Sequence, residues 1–135
     1  MYLKQDAKPD EDKSLVLVSS TAGFKETPGL FTYNASKPGV LGLMRPLHPY
    51  RPKTHKVRIN TICLWFTDTV LAQGVKENWL NAGLPVTTPE DVGRVMLEVA
   101  VGKDRKEKWS GRAVFVEEGE DGISRKALMP LKNSD

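Results

Sequence analysis

Leu15-Val16-Leu17-Val18-Ser19-Ser20-Thr21-Ala22-Gly23, followed after a loop by Tyr33-Asn34-Ala35-Ser36-Lys37, decides how this chain folds. A continuous apolar run ending in two serines reads as a strand buried on both faces, the kind found inside parallel sheets. Pro28-Gly29 punctuates the chain as a loop. Tyr33 and Lys37 stand four residues apart, which places them on one face of a helix. Ser20 then lies at the C-terminal end of the strand, where open α/β sheets bind ligands. A hydroxyl, a phenol and an ammonium can converge there on one reacting carbonyl or alcohol.

Working outward, a helix is predicted over residues 30–44, with Val40, Leu41, Leu43, Met44 and Leu47 suited to packing. Pro46, Pro49 and Pro52 are expected to end it. Pro38 leaves two readings open. It sits inside the helix at a cost of roughly 3 kcal/mol and pushes Lys37 from helical angles, or it is the first helical residue and Tyr33 to Lys37 form a loop. Residues 56–64, Lys56 to Leu64, alternate and then turn apolar, as a second strand does. Residues 65–84 mix aromatics with short helical pieces. Thr87-Thr88-Pro89-Glu90-Asp91 is a strong helix start, with a threonine cap, proline at the first position and acids in the first turn. That helix is predicted to reach Val101 and stop at Gly102, burying Val92, Val95, Met96, Val99 and Ala100. Gly111 to Glu117 form a third strand. The sum is an α/β fold with three parallel strands and helices on both faces, joined by right-handed crossovers. Residues 1–13 are a polar lead-in, with Met1 to Lys4 compatible with the end of a helix. Residues 14–118 form the domain, and 119–135 are a polar tail read as irregular.

The bulk numbers exclude several function classes. The 135 residues are enough for one domain with a modest core. No window of about 18 apolar residues exists, so no membrane-spanning helix is expected, and the N-terminus lacks the apolar stretch of a signal peptide. Cys63 is the single cysteine, which argues against a disulfide framework and reads as a small buried hydrophobe. A cytoplasmic protein is the expectation. The net charge is +3, but bases are interspersed with acids, as in Lys103-Asp104-Arg105-Lys106-Glu107-Lys108, so a solvated face is favoured over a nucleic-acid surface. His48 and His55 lack metal-ligand spacing and are expected at the surface, so no metal is assigned.

Ser20, Tyr33 and Lys37 have the Ser…Tyr-x-x-x-Lys arrangement of the short-chain dehydrogenases/reductases, with Tyr33 thirteen residues after Ser20. Residues 17–23 resemble that family's fifth strand, 56–63 its sixth, Pro89 to Gly93 its late helix and Gly111 to Val116 its seventh strand. The branch looks like the 15-hydroxyprostaglandin dehydrogenases and the fungal dehydrogenases of secondary metabolism. The resemblance implies an oxidoreductase that uses NAD or NADP on an apolar secondary alcohol or ketone. In it, Tyr33 is the acid/base, Lys37 stabilises the phenolate and holds the nicotinamide ribose, and Ser20 donates to the developing alkoxide. Leu64 and Trp65 stand where many relatives have Pro-Gly, and Thr67 and Thr69 where relatives contact the carboxamide. Trp65, Phe66, Leu71, Trp79 and Leu80 are candidates for a substrate lid, with Trp79 equally readable as core.

Set against the family, the chain reads as the C-terminal part of a Rossmann-type domain. The nucleotide-binding half, on the order of 120 residues at about 30 per βαβ unit, and its Gly-rich phosphate loop are missing. The alternative function is therefore a catalytically inactive truncated remnant, or a subunit docking on a full-length relative. Homo- or hetero-association is expected through the helix at 30–44 or the unpaired strand edge at 14–20. Alone, the chain is expected to be marginally stable or to aggregate.

Overall fold

The computed structural model describes residues 12–55, 57–102, 109–119 and 122–128. Met1 to Lys4 lie outside them. Strand β1 (Lys13–Ser20) passes through a 3₁₀ turn (Thr21–Gly23) to helix α1 (Phe31–His55) and strand β2 (Val57–Leu64). Helices α2 (Gln73–Asn81) and α3 (Pro89–Val101) precede strands β3 (Ala113–Gly119) and β4 (Gly122–Leu128). The sheet order is β1-β2-β3-β4. The first three strands are parallel, with Ser20 opposite Leu64 and Leu64 opposite Val116, so their C-terminal ends line up along one rim.

Side-chain alternation builds a core on each face of this sheet. Leu15 and Leu17, with Val57, Ile59, Cys63, Ala113 and Phe115, pack with Leu41, Met44 and Leu47 of α1. Val16, Ile62, Val114 and Val116 pack on the other face with Val92, Val95 and Val99 of α3. Full burial of Val95 and Val99 contributes about 1.5–3 kcal/mol each. The α3 cap, Thr88 Oγ1 accepting from the Asp91 amide at 3.2 Å, adds about 1 kcal/mol. Packing therefore dominates and the cap sets where the helix starts. Cys63 is fully buried, and burial pushes its thiol up to about 12, as suits a small hydrophobe.

Two expectations fail. Helix α1 does not stop at Pro46 but continues through Pro46, Pro49 and Pro52 to His55. Each proline removes a helical hydrogen bond, at roughly 3 kcal/mol in an isolated helix. This one persists because Met44 and Leu41 are buried on the sheet and Leu47 packs beside them, whereas Pro46 is exposed and displaces nothing. The tail is not wholly irregular either. Gly122–Leu128 pairs antiparallel with β3, from Gly119 opposite Gly122 to Ala113 opposite Leu128.

His48 is a third departure, for it is half-buried rather than a surface residue. It lies over Gly111, whose φ of +79° and lack of a Cβ are both required, since a Cβ there would run into the His48 ring. Burial lowers the His48 pKa below its ordinary 6.5. The unfolded chain then takes up this proton before the folded one does. The associated stability is complete above about pH 6.5 and is lost as pH falls below it toward the folded value. Urea midpoints at about pH 7.5 and 5.5 are expected to drop further in the wild type than in His48→Gln; equal drops contradict the assignment.

Polar side chains hold the β2–α3–β3 crossover. Arg58, nearly buried in strand β2, donates through Nη2 to the Ala100 carbonyl at 2.6 Å and through Nη1 to those of Val99 and Trp109 at 3.4 and 3.3 Å. It thus satisfies carbonyls at the α3 C-terminus that the helix cannot. Its Nε and Nη2 also pair with Asp12 at 2.9 and 3.1 Å. Asn60 donates to the Trp109 carbonyl at 2.7 Å and accepts from the Arg112 amide at 3.1 Å.

Candidate active site

Helix α1 begins at Phe31, so Tyr33 to Lys37 are helical and the loop reading is excluded. Pro38 sits inside the helix. It leaves the Asn34 carbonyl without its helical amide, and neighbouring groups brace the turn. Asn34 Nδ2 donates to the Thr27 carbonyl at 2.9 Å, and Ser36 Oγ to that of Tyr33 at 2.8 Å. The Lys37 Nζ lies 5.1 Å from the centre of the Tyr33 ring, within cation–π range. Both side chains are half-buried.

The two serines at the end of β1 divide their work. Ser20 Oγ donates to the Leu64 carbonyl at 3.3 Å and accepts from the Ala22 amide at 3.2 Å, capping the 3₁₀ turn. It thereby joins the rims of β1 and β2. Ser19, on the opposite face, donates to the Lys37 carbonyl at 2.9 Å, tying that rim to the helical turn of Lys37. The glycine two residues beyond the 3₁₀ start makes this approach feasible: a Cβ on Gly23 would stand 2.8 Å from Leu41 Cδ1 and 3.1 Å from Ser19 Oγ.

From Leu64 the rim continues into the aromatic segment. The Trp65 amide donates to the Val116 carbonyl at 3.0 Å, and Thr67 Oγ1 donates to the Trp65 carbonyl at 3.4 Å. Thr67 also bridges to Thr87. Trp79 stacks on Phe66 at 4.9 Å and meets Trp65 edge-on at 5.2 Å, while its Nε1 donates to the Pro85 carbonyl at 3.0 Å. Trp79 is thus an internal brace of the segment. Leu71 and Leu80 are exposed, Leu71 at 92%. The Lys25 Nζ lies 5.6 Å from the centre of the Trp65 ring.

The structure therefore brings Tyr33 and Lys37 together on α1, Ser20 and Leu64 together on the rim, and joins the two groups through Ser19. Thr69 stands apart, exposed at the start of the 3₁₀ turn Val70–Ala72, with no capping bond from its side chain. Sequence reasoning missed Ser19, Arg58 and Asn60. The last two carried a signal: polar residues at alternate positions of a buried strand must each have partners. The donor set suits a nicotinamide nucleotide in one respect. Among the described residues, the Lys37 ammonium, the Tyr33 hydroxyl and the Thr69 hydroxyl make no hydrogen bond, leaving donors for a ribose diol and an amide. No helix among the described residues is long and apolar enough to cross a membrane.

Fold and rim together define a family. Residues 8–79 match the family described as short chain dehydrogenase, and the chain belongs to it. It is 35% identical over 141 aligned residues to the 5'-hydroxyaverantin dehydrogenase of Dothistroma septosporum, covering 93% of this chain and 44% of that one. A short chain dehydrogenase from Mycobacterium paratuberculosis, solved bound to NAD, is 28% identical with a TM-score of 0.53, over 71% of this chain and 41% of that one. A 3-oxoacyl-(acyl-carrier protein) reductase from Brucella melitensis shares the fold with a TM-score of 0.65 at 22% identity, over 76% of this chain and 40% of its own. The chain spans less than half the length of the curated relatives it matches.

Proposed function

We propose that this chain carries the catalytic residues of an NAD(P)-dependent oxidoreductase acting on an apolar secondary alcohol or ketone. The observation that carries the reading is the Tyr33–Lys37 pair, held on one helical face at the strand rim in spite of Pro38. In the reductive direction Tyr33 gives its hydroxyl proton to the carbonyl oxygen; in the oxidative direction its phenolate takes the alcohol proton. Ser20 Oγ rotates from its long bond to the Leu64 carbonyl and donates to the same substrate oxygen, while still accepting from the Ala22 amide. Lys37 and Tyr33 would hold the nicotinamide ribose, Leu64, Trp65 and Thr67 on the rim would border the ring, and the exposed Thr69 hydroxyl would be a donor for its amide. The bound nucleotide supplies or accepts the hydride. The apolar segment from Trp65 to Leu80 faces the substrate and favours an apolar one.

A second reading is a docking subunit without turnover of its own. It is favoured by β1, whose outer edge pairs with no strand among the described residues and is open to another chain. Titration calorimetry with NADH and NADPH separates the two. The first reading expects binding of one nucleotide, weakened at least about ten-fold, or 1.4 kcal/mol, in Lys37→Met. No binding of either at millimolar concentration leaves the docking reading.

A further inference from the structure

We infer that Ser19 is a positioning residue for the Tyr33–Lys37 pair, an assignment that rests on the oxidoreductase reading. Ser19 is 1% exposed and its hydroxyl reaches the Lys37 carbonyl at 2.9 Å across 18 residues of sequence. That carbonyl belongs to the peptide joining Lys37 to Pro38. Proline offers no amide to the turn before it and steers the residue ahead of it away from helical angles. Lys37, like each residue of α1 that precedes a proline, has a backbone with reason to leave the helix, and its side chain is the one that must point at Tyr33. The Ser19 hydroxyl holds that backbone from outside the helix. Gly23 leaves room for this bond, since a Cβ there would lie 3.5 Å from the same carbonyl and 3.1 Å from Ser19 Oγ. Strand end and helix meet on one oxygen. A rotation of the Lys37 turn would carry Nζ off the Tyr33 ring, now 5.1 Å away. The neighbouring serines consequently have separate duties, Ser20 at the substrate and Ser19 behind the lysine.

The experiment is a comparison of Ser19→Ala, Ser19→Thr, Pro38→Ala and Ser19→Ala/Pro38→Ala by NMR. The readout is the cross-relaxation between Lys37 Hε and the Tyr33 ring protons. Ser19→Ala is expected to weaken it at least three-fold, Ser19→Thr to keep it, and the double variant to restore it, because a regular helix no longer needs the tether. Should Ser19→Ala fail to fold, recovery of folding and of the cross-peak in the double variant gives the same result. An undiminished cross-peak in Ser19→Ala, or one equally lost in the double variant, overturns the assignment. The readout needs no turnover. If neither the wild type nor any variant reduces a ketone with NAD(P)H while the Ser19 result holds, the oxidoreductase reading fails and the geometric role of Ser19 stands by itself.

Discussion

Arg58→Leu is expected to destabilise the fold by about 3 kcal/mol, the lower end for breaking a buried ion pair. The guanidinium side chain is only 9% exposed, whereas Asp12 is 31% exposed and recovers part of its hydration when the pair is lost. The larger loss is at the carbonyls. Those of Val99 and Ala100 accept from this group, while that of Trp109 shares it with Asn60, and a buried acceptor left unpaired costs about 1–3 kcal/mol. The damage should concentrate where α3 turns back toward β3, so amide exchange near the α3 C-terminus should accelerate more than in α1. Asp12→Asn, which keeps the carbonyl bonds, should cost well under half as much. Equilibrium urea unfolding of the two variants decides the point, and a loss below 1 kcal/mol in Arg58→Leu contradicts the account.

Pro38→Ala is expected to act in the opposite direction, stabilising by about 2 kcal/mol. Alanine returns an amide to the Asn34 carbonyl and relieves the ring's clash with it, worth roughly 3 kcal/mol in a helix interior. Against this, the unfolded chain regains freedom that proline denied it, about 0.4–1 kcal/mol. Pro38 is exposed, so no packing is lost with it. The urea midpoint of Pro38→Ala should therefore rise. An unchanged or lower midpoint would mean that residues 34–38 are not helical in solution, and the Tyr33–Lys37 geometry would fall with them.

Much of this was legible in the chain. The apolar run into Ser20, the alternation of residues 57–64 and the Thr88-Pro89-Glu90-Asp91 cap each state their element locally, and observed β1, β2 and α3 begin and end within a residue or two of expectation. The relation of Tyr33 to Lys37 follows from helical spacing once the helix is granted. What failed did so where tertiary contacts outweigh local preference. The prolines beyond Met44 argue for a stop, yet the buried stripe of Leu41, Met44 and Leu47 carries the helix past them. Gly122–Leu128 lacks a core-like pattern and becomes a strand through backbone pairing with β3, which composition does not reveal. His48 is half-buried because a glycine distant in sequence leaves room for it. Ser19 carried no role in the sequence beyond ending the strand, and the opposite facing of consecutive strand residues gives the two serines different partners.

Tyr33, Lys37 and Ser20 are proposed to form a working proton-transfer site. Its most direct test is NAD(P)H-dependent reduction of a panel of apolar ketones by the wild type and Tyr33→Phe, with both shown to be folded. Phenylalanine keeps the ring under Lys37 and removes only the hydroxyl. Measurable reduction by the wild type is expected, with a loss of at least about 100-fold in the variant, the usual contribution of a general acid. Equal rates in the two proteins, or no reduction by either, would contradict the proposal.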